Sequence, residues 1–225
     1  MFLWRTLLIL AGNDEVTRSF ARCRKTTAQF REQRPQETVY TYMDIKDETL
    51  RIIDLINDSY ESEEAWHGPS LVTSLRDVSP AVAEARLTPN THSIAEIVYH
   101  ITTWRIFVAR KLQGDQEFDI RSADKDWKVF GMVDEFEWET LQMELSLSQD
   151  ELVTRLEQIG SDAYLEELVP GKNYSFYTLL HGMIHHDLYH AGQISLIKKG
   201  LLLRRLEESD MDGYGTDDEY GQDLY

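Results

Sequence analysis

The sequence predicts an all-α fold, a four-helix bundle with long crossover connections, and three observations carry that prediction. Four segments of about 20 residues place apolar side chains at three- and four-residue spacing. No segment of comparable strength alternates apolar and polar residues as a half-buried strand would. Cap and turn signals bound the segments. With 225 residues, 42% of them apolar, the chain can bury one core of ordinary size and still carry appendages.

The first predicted helix runs from Asp44 to Trp66, with Ile45, Thr49, Ile52, Ile53, Ile56 and Tyr60 on one face, and Gly68-Pro69 stops it. The second opens on a capping box, Ser93 with Glu96 three residues on, and its stripe is Ile94, Ile97, Ile101, Trp104 and Val108. A third spans Asp134 to Ile159 through Trp138, Leu141, Leu145, Leu152 and Leu156, with a break possible at Ser148. Pro170-Gly171 then marks a turn, and the fourth runs from Ser175 to Lys199, closed by Gly200. Bundle links are mostly about 2–8 residues. Segments 67–92 and 113–133 are far longer, which predicts crossovers or short extra helices there.

Residues 41–205 therefore read as the helical domain. Residues 1–40 read as an N-terminal extension, irregular or partly helical, and 206–225 as an acidic tail too poor in aliphatic side chains to offset the entropy of ordering. The net charge of −17 is uneven, since residues 1–40 hold 7 basic and 4 acidic side chains and 206–225 hold 8 acidic and none basic. Nucleic-acid affinity rests on neutralising phosphates, so this balance argues against DNA or RNA as a partner. The apolar opening from Met1 to Ala11 is well short of the ~20 residues that span a bilayer, and it lacks the basic start and small-residue cleavage pattern of a signal peptide. No membrane association is expected. The single cysteine, Cys23, has no partner in the chain, which fits a reducing, cytoplasmic setting.

The fourth helix carries the chemistry. Its apolar register, set by Leu179, Met183, Ile194 and Ile197, passes through His186, His190 and Gln193, so histidines occupy positions where leucine is expected. Two histidines four residues apart lie one turn apart on one face and can address one ion. His100, at the edge of the second helix's stripe, is the candidate third ligand from a facing helix. Spacing alone leaves the alternative open that all three are packing residues, each needing a buried hydrogen-bond partner. His181 and His185 share the same spacing but fall off the apolar register, with His185 near enough to support the site. His67 is expected to answer a helix dipole and His92 to belong to the entry of the second helix.

The neighbours have plainer readings. Gly192 is expected to permit a close helix approach, and Gln193 to hydrogen-bond a metal-bound water or a substrate, or else to make a buried polar contact between helices. Glu96 is explained by the capping box, although it lies one turn before His100. Asp187 points about 100° away from His186 and is expected to be solvated or to support the site from behind.

The segment from His181 to Ile194, reading His-Gly-Met-Ile-His-His-Asp-Leu-Tyr-His-Ala-Gly-Gln-Ile, resembles the DinB-like signature, in which a His-x-x-x-His pair runs into a small residue, Gly and Gln. The segment from His92 to Trp104 resembles the other histidine helix of that family. The two motifs, with the helical bundle between and around them, cover roughly residues 44–200 in matching order. The resemblance implies a four-helix bundle holding one divalent transition metal ion, zinc, nickel or iron, through His100, His186 and His190. It also implies a metal-dependent hydrolase or a thiol-dependent S-transferase acting on a small molecule, with a low-molecular-weight thiol among the candidate partners, and a homodimer. The alternative is a noncatalytic metal- or small-molecule-binding module related to stress. A third is an interaction protein that uses its acidic tail.

Overall fold

The computed structural model describes residues 47–120 and 123–212, and they form an all-helical structure. Four long helices dominate it: α1 (Asp47–Glu61), α4 (Ile94–Leu112), α6 (Glu135–Gln158) and α7 (Phe176–Asp212). Short helices α2 (Leu71–Leu75) and α3 (Pro80–Glu84) fill the first long connection, and α5 (Ala123–Asp126) lies in the second. A 3-10 segment, Asp162–Glu166, follows α6. Among the described residues β pairing is confined to one bridge, Leu168 with Ser175, around the predicted Pro170-Gly171 turn.

Local chemistry explains the starts. Ser93 accepts from the Glu96 amide while the Glu96 carboxylate accepts from the Ser93 amide, the reciprocal cap read from the sequence. Asp134 caps α6 through the Glu137 amide, and Asp162 reaches back along the chain to accept from the amides of Glu48 and Thr49 at the head of α1.

The ends depart from expectation where burial runs out. Helix α1 stops at Glu61, five residues before Trp66, because Tyr60 is its last buried side chain and Trp66 stands fully in solvent. His67 is consequently an exposed loop residue rather than a partner for a helix terminus. Helix α6 runs unbroken through Ser148, whose hydroxyl donates to the Leu145 carbonyl. Helix α7 continues through Gly200 to Asp212. A Cβ at Gly200 would collide with the Leu87 side chain, so this glycine admits a close approach instead of ending the helix. The close approach expected at Gly192 is absent, since that residue is exposed with open space around it. Residues 1–40 lie outside the described residues, as does the tail from residue 213 onward.

Each of α1 and α4 packs on both α6 and α7. The core they enclose is split into two apolar clusters. One gathers Tyr60, Ile97, Ile101, Leu141, Leu145, Ile194 and Ile197, and the other Ile52, Ile56, Phe107, Leu152, Leu156, Leu180 and Met183. The order in which each helix meets them shows that α1 and α7 run one way and α4 and α6 the other. Parallel neighbours α4 and α6 require a crossover, and that is why segment 113–133 is long. Between the clusters each long helix contributes polar residues at one level: Asn57 on α1, Arg105 on α4, Gln149 on α6, and His186, Asp187 and His190 on α7.

Candidate metal centre

The polar level has two parts, and the histidines form the first. His186 and His190, one turn apart on α7, face His100 on α4, and one nitrogen from each lies within 4.8 Å of the others. The Nε2 atom of His186 is 3.0 Å from that of His100 and 3.1 Å from that of His190. His100 and His190 are buried and His186 is half-buried. The rival pair is not assembled: His185 is exposed, and His181 turns its Nδ1 to the Tyr177 carbonyl and lies against the Tyr177 ring at a tilt of 32°.

The outer nitrogens fix the tautomers. His100 Nδ1 lies 3.1 Å from the Asp126 carbonyl and 2.9 Å from its Oδ1, both acceptors, so it carries the hydrogen and donates. His190 Nδ1 donates to Gln193 Oε1 at 2.7 Å. In the neutral rings the Nε2 lone pairs of His100 and His190 are therefore bare, and both point at the Nε2 of His186. A hydrogen there can satisfy one of them and leaves the other facing a donor already spent. His186 Nδ1 is buried and meets no partner among the described residues. One cation among the three nitrogens satisfies all the lone pairs together, and separations near 3 Å are readily spanned by two metal–nitrogen bonds of about 2.0–2.1 Å each. The donor set fits a divalent transition metal ion.

Electrostatics point the same way. Burial, followed by the fields of His190, His100 and Arg105, pushes His186 down to about 3. Burial pushes His190 down to about 4 against the Gln193 hydrogen bond, and it lowers His100 against the pull of Asp126. The three rings are thus held neutral, the form in which imidazole binds a metal.

Aromatic rings wall the site. Trp127, which follows α5, is sandwiched between His92 and His100, with centroids 3.7 and 3.9 Å away and planes within 12° and 10° of parallel. Trp104 stands 5.8 Å from the His186 ring and donates its Nε1 hydrogen to Asp126 Oδ1. Asp126 thereby ties His100 and Trp104 to one short helix.

The second part of the polar level holds its own charge balance. Arg105 and Asp187 are both fully buried and pair at 2.6 Å. Arg105 also donates to Gln149 Oε1 and lies over the Tyr60 ring, 4.8 Å from its centroid, while Gln149 donates to Asn57 Oδ1. Burial raises Asp187 to about 6 against the pull of Arg105. Asp187 is therefore a core ion-pair partner and not a solvated residue. It packs beside the site without touching the other histidines' nitrogens.

The three histidines that spacing singles out do converge, but the residue that hydrogen-bonds His100 carries no such signal. Glu96 does not meet His100; it caps α4, pairs with Arg86 and accepts from His92 Nδ1 at 3.1 Å. Asp126 orients His100 instead, from a connection that bears no periodic signal. Gln193 makes its polar contact within α7 and not across to another helix, accepting from the Nδ1 of the buried His190. Arg105 and Asp187 did leave a trace: Arg105 is the sole Asp, Glu, Lys or Arg between residues 97 and 109 and Asp187 the sole one between 173 and 197, and the two have opposite sign.

The model of the DinB superfamily matches residues 63–194 of the chain, a span that contains all three histidines. No curated protein and no solved structure gives a significant match.

Proposed function

The chain belongs to the DinB superfamily, and from its histidine cluster we propose that it is a metal-dependent enzyme, a hydrolase or a thiol-dependent S-transferase acting on a small molecule. The convergence of three Nε2 atoms, two with their tautomer set by outer hydrogen bonds, is the observation that carries this reading. His100, His186 and His190 would hold one zinc, nickel or iron ion. When bound, such an ion lowers the pKa of a coordinated water or thiol and polarises a substrate carbonyl.

The chain's own residues supply the rest. Asp126 and Gln193 hold the rings of His100 and His190 in the orientation that aims Nε2 inward, the role that such outer partners play at metal sites. Trp127 covers the face of His100, and Trp104 flanks His186. Three protein ligands leave room for a small molecule, and a saturated structural site would need a fourth. A low-molecular-weight thiol is a candidate co-substrate, the cytoplasm the expected location and a homodimer the expected assembly. Among the described residues no helix is long and apolar enough to cross a membrane, and the charge of −17 disfavours nucleic acid.

Elemental analysis of protein purified without a histidine tag tests the reading. Wild type is expected to hold one equivalent of metal, and His100→Ala, His186→Ala and His190→Ala to lose it while keeping their helical circular dichroism. Wild type free of metal even after reconstitution sinks it. A metal whose cobalt-substituted spectrum ignores azide and thiols leaves the noncatalytic binding module as the reading.

A further inference from the structure

An apolar cavity of about 240 Å³ opens beside the histidine cluster. Most of its walls come from the same two helices as the histidines, Trp104 and Val108 one turn apart on α4, and Thr178, Leu179, Gly182, Met183 and His186 on α7, and Tyr174 joins them from just before α7. None of the residues that line it is Asp, Glu, Lys or Arg. His186 is its end wall, and it is also the most exposed of the three histidines. The cavity thus adjoins the cluster at its least buried histidine. A cavity of about 150 Å³ with apolar walls suffices for benzene, so this one has room for a ring with a short extension.

Gly182 gives the cavity its mouth. It lies one turn before His186 on α7 and is exposed, and a Cβ built on it meets no atom within 4 Å. Glycine in the middle of a long helix is unfavourable relative to alanine, and neither a close approach nor a positive φ requires it here. What its missing side chain provides is open space at the entrance.

We propose that this cavity seats an uncharged apolar arm, aryl or branched alkyl, of the molecule whose polar head reaches the three histidines, and that Gly182 is the residue that determines specificity for that arm. The proposal rests on the metal-dependent reading above and assigns its substrate class. Walls that are mostly apolar and hold no charged side chain favour such an arm over a carboxylate, which would be desolvated without a counter-charge.

Two hydroxamates with a common metal-binding head test it: acetohydroxamate, which lacks an arm, and benzohydroxamate, which has an aryl one. Each is titrated into cobalt-loaded protein and followed by the cobalt absorption spectrum, with affinities referred to each probe's binding of free cobalt. Wild type is expected to bind benzohydroxamate about tenfold or more tightly than acetohydroxamate. In Gly182→Leu the preference is expected to vanish while acetohydroxamate binding and metal content hold, and Gly182→Ala should fall between. Leucine is a better helix former than glycine, so the variant should melt no lower than wild type. Equal affinities in wild type, or a preference that survives Gly182→Leu, overturn the proposal and leave the metal-dependent reading standing. A cobalt spectrum unmoved by either probe overturns both.

Discussion

His186 and Asp187 are consecutive residues on α7, yet they serve two buried polar clusters that solve burial in opposite ways. Asp187 meets an opposite charge the chain provides, Arg105 at 2.6 Å, with Gln149, Asn57 and Tyr60 around it, although Arg105 Nε and Asp187 Oδ1 have no hydrogen-bond partner among the described residues. His186 meets two further imidazole nitrogens and no opposite charge, so its cluster lacks a positive centre that an ion from outside would supply. A helix turn of about 100° per residue is enough to separate them. The lesson is that burial alone does not mark a functional site. What marks it is a buried group of like donors or acceptors with nothing in the chain to balance them.

The largest effect that separates the clusters should come from Arg105→Met. It strands Asp187 in the core and is expected to cost about 3–5 kcal/mol in urea denaturation, whether or not metal is present. Adding Asp187→Leu should recover most of that loss, because the uncompensated charge goes with it. If the single variant is as stable as wild type, the two clusters are not different in kind.

Metal removal probes the other side of the comparison. At about 100 times its dissociation constant a bound ion adds about 2.7 kcal/mol. A chelator should therefore lower the melting temperature of wild type and leave that of His186→Ala unchanged. Gln193→Leu, which removes the acceptor of His190 Nδ1, should weaken metal binding about 10- to 100-fold without abolishing it, as competition with a chromophoric chelator would show.

The smallest effect is the pH dependence of the metal-free protein. His186 and His190 are held near 3 and 4, below the ordinary imidazole value of 6.5. As pH falls below 6.5 the unfolded chain takes up protons that the folded site refuses, so their contribution is complete above that pH and is lost toward pH 4 and then 3. Asp187, raised from 3.8 to about 6, works in the opposite direction over that interval. Comparison with His190→Asn isolates the histidine part: the variant should lose less stability than wild type between pH 7 and 4.5. An identical slope would mean that His190 is not held neutral.

By itself the sequence determined the helices and the pairing of His186 with His190 on one face, because both are written in local spacing. Apolar residues at three- and four-residue intervals fix which face of a helix is buried, and His186 and His190 share that face whatever the helix packs on. The Ser93 and Glu96 cap was readable for the same reason. Helix ends were less so: α1 ends where its burial stops, and Gly200 lies within α7 because Leu87, distant in sequence, occupies the space a Cβ would take. Tertiary structure alone decided that Asp126, and not Glu96, orients His100, that Arg105 takes Asp187 into the core, and that Gly182 opens onto a cavity. Each of these depends on the distance between side chains on different elements, which no local spacing encodes and only the packing of α4, α5 and α7 sets.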